Sequence, residues 1–126
     1  VVQVPVTIAL GAIAGALSRY YLTAWIAQTV ETAWPVGTFC VNLSGAFAMG
    51  LFSTLAEGRS LISPRVRLMT TVGFLGSFTT FSTYELESEQ LFLTGSPDIS
   101  LLYWLGSTIL GVISLEIGNL IANKLT

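Results

Sequence analysis

Residues 73–84 read Gly-Phe-Leu-Gly-Ser-Phe-Thr-Thr-Phe-Ser-Thr-Tyr. Two glycines lead into a run of hydroxyl side chains, all inside a stretch otherwise apolar enough to lie in lipid. Hydroxyls donate and accept hydrogen bonds, and they compete with the helix ladder for neighbouring backbone groups. Glycine in a helix interior costs roughly 1 kcal/mol against Ala. Together these residues predict a break in a membrane-spanning helix. Carbonyls freed at that depth need a partner in the protein, a water or an ion, and broken helices of this kind recur where ions bind. The alternative is an unbroken helix whose Ser and Thr bond back to their own backbone.

Other polar residues are few. Arg19 interrupts the first apolar run, Asn42 sits in the second and Glu116 in the fourth. A lone Arg in a span either serves an ion or snorkels to the interface. Asn42 by itself reads equally as interhelical glue worth about 1 kcal/mol. Glu116 either pairs with Lys124 or reaches the interface. Glu85 and Glu89 share a helix face and Glu87 points elsewhere, which places these acids in a wet vestibule or at the interface. There is no His and a single Cys40, so neither a disulfide, a thiol pair nor a nucleophile–base cluster is available. The chain does not read as an enzyme.

The elements that must position these residues follow from composition. Hydrophobic residues are 52% of the 126 and charged residues 10%, against about 25% charged in soluble domains. A small soluble chain needs more charge than this to keep its surface wet. A net charge of −2 gives no basic footprint for nucleic acid. With about 20 apolar residues needed per crossing, the chain divides into spans 4–27, 36–56, 64–94 and 99–125, the third broken near 76–82. This makes residues 1–126 a single all-α, multi-pass membrane domain of four transmembrane helices. Glu31 and Pro35 separate the first two spans, Glu57-Gly58-Arg59 closes the second, and Gly95-Ser96-Pro97-Asp98 turns the chain into the fourth. The first apolar run is long enough to span and no cleavage site follows it, so no separate signal peptide is expected. Because Val1 is not Met, residues ahead of it are expected.

Small residues mark helix contacts. Gly11 and Gly15 form a G-x-x-x-G pair, Ala46 and Gly50 repeat the spacing, and Ser107, Gly111, Ser114 and Gly118 line one face of the fourth span. In lipid such faces let backbones approach. Four helices are too few to enclose a roomy aqueous pore, so an oligomer is expected.

Three stretches together resemble the Fluc (CrcB) family of fluoride channels. Gly73–Glu87 is similar to that family's G-F-x-G-G-x-T-T-F-S-T-F-x-x-E. Gly37-Thr38-Phe39-Cys40-Val41-Asn42 with Gly45 is similar to its G-T-x-x-V-N-x-x-G, and Gly15–Tyr20 to its G-x-x-x-R-aromatic. The resemblance implies a fluoride-selective channel in the cell (inner or plasma) membrane: an antiparallel, dual-topology homodimer with two narrow pathways, exporting fluoride passively. Phe81 and Tyr84 would stand at the pathway aromatics, whose ring edges are the positive end of the quadrupole. Asn42 would offer amide donors, and Thr38, Ser82 and Thr83 hydroxyls near the vestibule. Tyr103 and Ser107 would continue a polar track, with Arg19 and Glu87 at the vestibules. Gly76 and Thr79 would hold a central structural sodium ion through their backbone carbonyls, where two broken helices meet on a two-fold axis. The chain departs from the pattern at Tyr84, where Phe is usual, at Ser77-Phe78 in place of the second glycine and a small aliphatic, and at Gly111, where Ser is common.

One feature of the sequence pulls the other way. If the N-terminus and the loop after the second span share a side, Arg59, Arg65, Arg67 and Lys124 all lie there and the opposite loops hold no Lys or Arg. The positive-inside rule then favours one orientation, which leaves both a homodimer and pairing with an oppositely oriented paralogue open. Two other functions compete with this one. A proton-coupled small multidrug exporter needs a carboxylate in the first span, which has only Arg19. A purely structural subunit predicts no flux and tolerance of Phe81→Ile and Asn42→Ala.

Overall fold

The computed structural model describes residues 2–58 and 62–126; Val1 and Arg59, both used in the sequence reading, lie outside the described residues. The described chain is all-helical, and it is a multi-pass membrane protein. Helix α1 (Gln3–Thr29), α2 (Val36–Gly58) and α6 (Pro97–Leu125) are each long and apolar enough to cross a membrane. The third crossing is assembled from pieces: α3 (Pro64–Leu68), a π-helical stretch Met69–Leu75, α4 (Gly76–Phe78) and α5 (Phe81–Leu93).

Local signals set the ends. Ser63 caps α3 by accepting the Val66 N–H at 3.2 Å, and Pro64 and Pro97 stand in first turns, where a missing N–H loses nothing. Gly95, with φ of 91°, supplies the left-handed residue that turns α5 into α6. The four crossings run alternately between two ends of the molecule. At one end Gln3 meets Arg65 and the Gly58 position abuts Thr126. At the other, Trp34 packs near Tyr103, 6.5 Å between ring centroids.

Close backbone approach holds the bundle together. Helix α2 packs chiefly against α6, and α1 against the π-helical stretch. A Cβ on Gly15 would collide with the Phe74 carbonyl, and one on Gly118 with that of Phe47. Ser114 adds a hydrogen bond from α6 to the Leu43 carbonyl at 2.8 Å. With little apolar driving force available in lipid, such contacts carry the packing. The small residues read from the sequence as a packing code thus serve that role at Gly11, Gly15, Gly50 and Gly118, while Gly111 faces open space.

Candidate ion pathway

The interruption in the third crossing lies at Thr79 and Thr80, whose ψ values of 155° and 116° are extended. The Thr79 N–H still donates to Leu75 O at 3.1 Å, so the helical ladder reaches that far. The next donor, the Thr80 N–H, would reach Gly76 O in a continuous helix. It bonds instead to Asn42 Oδ1 at 2.7 Å, while Asn42 Nδ2 donates to Thr80 O at 3.0 Å. Arg19 Nε then takes Ser77 O at 3.1 Å. Two side chains from two other helices therefore hold the chain open. Thr80 finally caps α5, its hydroxyl accepting the Thr83 N–H at 3.3 Å and pairing with Thr83 Oγ1 at 3.0 Å.

Gly76 itself is helical, with φ −63° and ψ −27°. The glycines do not make the break. Gly73 is instead buried against α1, where a Cβ would come within 2.7 Å of Ile8 O. The π-helical stretch that contains it, Met69–Leu75, has no signature in the local sequence.

A cavity of about 450 Å³ opens beside the break, lined by Asn42, Thr79, Thr80, Phe81, Tyr84, Ser107, Thr108 and Gly111 among others. The Ser107 hydroxyl is buried and has no hydrogen-bond partner. Phe81 is 73% exposed on the single subunit, unlike a core aromatic. Its ring lies 5.8 Å from that of Tyr84, and Tyr84 lies 5.3 Å from Tyr103. This ladder of rings leads toward a second cavity of about 640 Å³ at the Trp34 end, lined in part by Thr38 and Glu87.

A carboxylate clasp sits on the wall of this larger cavity. Glu87 accepts from Thr38 Oγ1 and from Tyr103 OH, each at 2.8 Å. Both hydroxyls expected to face an anion are thus committed to Glu87. The Tyr84 hydroxyl donates to the Trp104 carbonyl and lies 3.0 Å from Thr108 Oγ1, so the extra hydroxyl of Tyr84 is tied to α6. Trp104 Nε1 in turn donates to Glu85 at 2.9 Å. Ser82 is exposed on the first turn of α5. Glu116 accepts from Asn119 at 3.1 Å and makes no ion pair with Lys124; the ion pair among the described residues is Arg67–Glu57 at 3.3 Å.

The break therefore presents opposite polarities in one place. The C-terminal end of the 64–78 half carries carbonyls released from the ladder, and the N-terminal end of α5 carries N–H groups. Helix C-termini favour cations and N-termini anions. The residues at the first end fit a small hard cation, which takes oxygen ligands. Gly76 O has lost its i+4 donor, Gly76 is exposed, and the nearest atom to its absent Cβ is Thr71 O at 3.6 Å.

The family model described as CrcB-like protein, Camphor Resistance (CrcB), matches residues 6–119. The chain belongs to the CrcB family. Among curated CrcB relatives, the "Fluoride-specific ion channel FluC" of Synechococcus sp. (strain JA-2-3B'a(2-13)) is 50% identical over 120 residues, covering 95% of this chain and 92% of that one. The protein of the same name from Trichormus variabilis is 54% identical over 115 residues, 90% and 84% of the two chains. That of Chloroflexus aurantiacus is 47% identical over 111 residues, 88% of each. Thr80, Thr108 and Trp104 were not singled out as site residues from this CrcB sequence. Thr80 had a local signal, a Thr three residues before Thr83 at a helix start. Thr108 lies close in sequence to Gly111 on the fourth-span polar track, and Trp104 is joined to the site only by packing.

Proposed function

We propose that this CrcB-family chain is a subunit of a passive fluoride-selective channel, and that two subunits packed antiparallel form two narrow pathways. The observation that carries the reading is the cavity at the break. It gathers the N-terminal end of α5, the exposed ring of Phe81 and the unpaired buried hydroxyl of Ser107. Fluoride is small, strongly hydrated and an avid acceptor. Its passage needs a series of donors that replace water without a deep well. Hydroxyls, the spare N–H of Asn42 and aromatic edges meet that need, and Arg19 supplies positive charge one step away, held to Ser77.

In this reading an anion enters the 450 Å³ cavity, where Ser107 donates and Phe81 offers its ring edge. It continues past Tyr84 toward Tyr103. There the Glu87 clasp must give up a hydroxyl for the anion to proceed, so Thr38 and Tyr103 become donors only in turn. A sodium ion held by the Gly76 and Thr79 carbonyls of both subunits would supply fixed positive charge and join the two breaks. The support for it is the released Gly76 carbonyl.

The test is efflux from liposomes holding the purified chain. Fluoride should leave rapidly and chloride should not, with flux at least tenfold lower in Ser107→Ala or Phe81→Ile. Equal release of the two halides, or of neither, overturns the reading. Proton-driven export of an organic cation would establish the exporter class instead.

A further inference from the structure

We propose that Asn42 is a positioning residue for the central cation: by capturing the Thr80 N–H it releases the Gly76 carbonyl that the cation needs. The inference rests on the cation reading above and goes beyond it, because it assigns to a pathway residue the maintenance of a different site. The geometry is explicit. In an α-helix the N–H of residue 80 closes on the carbonyl of residue 76, and the ladder is intact one step earlier at Thr79–Leu75 (3.1 Å). At the next step the acceptor changes. Asn42 Oδ1 stands 2.7 Å from the Thr80 nitrogen, shorter than the helical bond before it, and Nδ2 holds the Thr80 carbonyl from the other side at 3.0 Å. The amide carries an acceptor and a donor on one carbon, so it engages both backbone groups of Thr80 at once.

Without that splint the Thr80 N–H has lost its acceptor at membrane depth, where a backbone donor needs a partner. The acceptor that helix geometry offers it is the carbonyl four residues back. The third crossing then closes toward a continuous helix, and Gly76 O is consumed by the ladder. Arg19 guards the neighbouring carbonyl of Ser77 (3.1 Å), but it does not touch Gly76 O. A cation on Gly76 O competes with the Thr80 N–H for the same oxygen. By linkage, the bound cation therefore also favours the Asn42–Thr80 geometry beside the anion cavity.

The experiment compares the purified wild-type chain with Asn42→Ala and Asn42→Asp, the latter keeping an oxygen for the Thr80 N–H. Thermal midpoints and the carbonyl resonance of ¹³C-labelled Gly76 are followed as sodium replaces N-methylglucamine at constant ionic strength. We expect the wild-type midpoint and resonance to respond to sodium, and Asn42→Asp to respond at a half-saturating concentration within about threefold of it. For Asn42→Ala the half-saturating concentration should rise more than tenfold. If Asn42→Ala does not fold, Asn42→Leu fills the same volume without an acceptor and serves in its place. A wild-type chain indifferent to sodium overturns the cation reading and this inference with it. A sodium-responsive wild type whose Ala or Leu variant responds at the same concentration overturns the positioning role alone. So does an Asp variant that behaves like Ala.

Discussion

At the scale of single residues, the hydroxyl of Tyr84 decides how a departure from the family pattern is accommodated. A phenol in an anion pathway could hold fluoride by donating to it. In this chain it is bonded to Trp104 O and Thr108 Oγ1 on α6, and its proton is spent there. Tyr84→Phe keeps the ring and removes the tie. We expect fluoride flux within about threefold of wild type and a stability loss of about 1 kcal/mol, the ordinary net worth of a hydrogen bond, read from flux in liposomes and from unfolding in detergent. Glu87→Gln is a harsher change. Its amide oxygen can still accept one hydroxyl, but the amide nitrogen cannot accept the other, and both bonds lose their charge. Hydrogen bonds to charged groups are worth about 1.5–3 kcal/mol, so the midpoint should fall further than in Tyr84→Phe. Local sequence exposed Asn42, Phe81 and Ser107 as candidates through their motifs. It could not expose the Glu87 clasp, because Thr38 and Tyr103 lie 49 and 16 residues away along the chain. Only helix packing brings them together.

At the scale of elements, glycine and hydroxyl content pointed to an interruption near 76–82; the extended residues are the hydroxyl pair Thr79 and Thr80, and the glycines take no part in opening it. Propensity counts what a residue prefers in isolation, and Gly76 remains helical because nothing opposes its ladder until Thr80. The departure from helix is imposed from outside, by Asn42 on α2 and Arg19 on α1. No reading of the third segment alone contains them. Gly73, which looked like a breaker, is a contact point against α1 instead, while Gly76 stays helical and exposed. This distinction is testable with two substitutions of equal chemistry. Gly15→Ala drives a methyl into the Phe74 carbonyl, and should cost about 1–3 kcal/mol as other overpacking does. Gly106→Ala has nothing within 4 Å of its new Cβ and gains a little helix propensity, up to about 1 kcal/mol. Thermal unfolding of the two purified variants should therefore move in opposite directions. A shared direction would mean that backbone entropy, not close approach, governs both positions.

At the scale of the whole molecule, α1, α2 and α6 were legible as crossings from hydrophobic length, and the fold supplies what the loops could not: which ends lie together. Arg65 meets Gln3 and Arg67 pairs with Glu57, so the starts of α1 and α3 lie with the end of α2. Lys124 is on the last turn of α6 at that same end. Arg59 falls between α2 and α3 in sequence, outside the described residues. The opposite end carries Glu31, Glu85, Glu87, Glu89 and Asp98 and no basic residue among those described. Lys and Arg in short loops set orientation, while Asp and Glu contribute little. Pairing Arg67 with Glu57 does not cancel the bias, since exposed ion pairs are weak. The chain should therefore insert with its basic end in the cytoplasm, so that an antiparallel partner in the cell carries the opposite bias, while purified copies in detergent, free of the bias that insertion imposes, still pair with themselves. Impermeant maleimide applied to intact cells measures this directly, in a Cys40→Ser background with one new thiol at Thr32→Cys or Thr126→Cys. The first should label almost fully and the second only after permeabilisation. Labelling of about half of each, the pattern of two orientations in equal amounts, would refute the single orientation and restore two identical copies as the antiparallel pair.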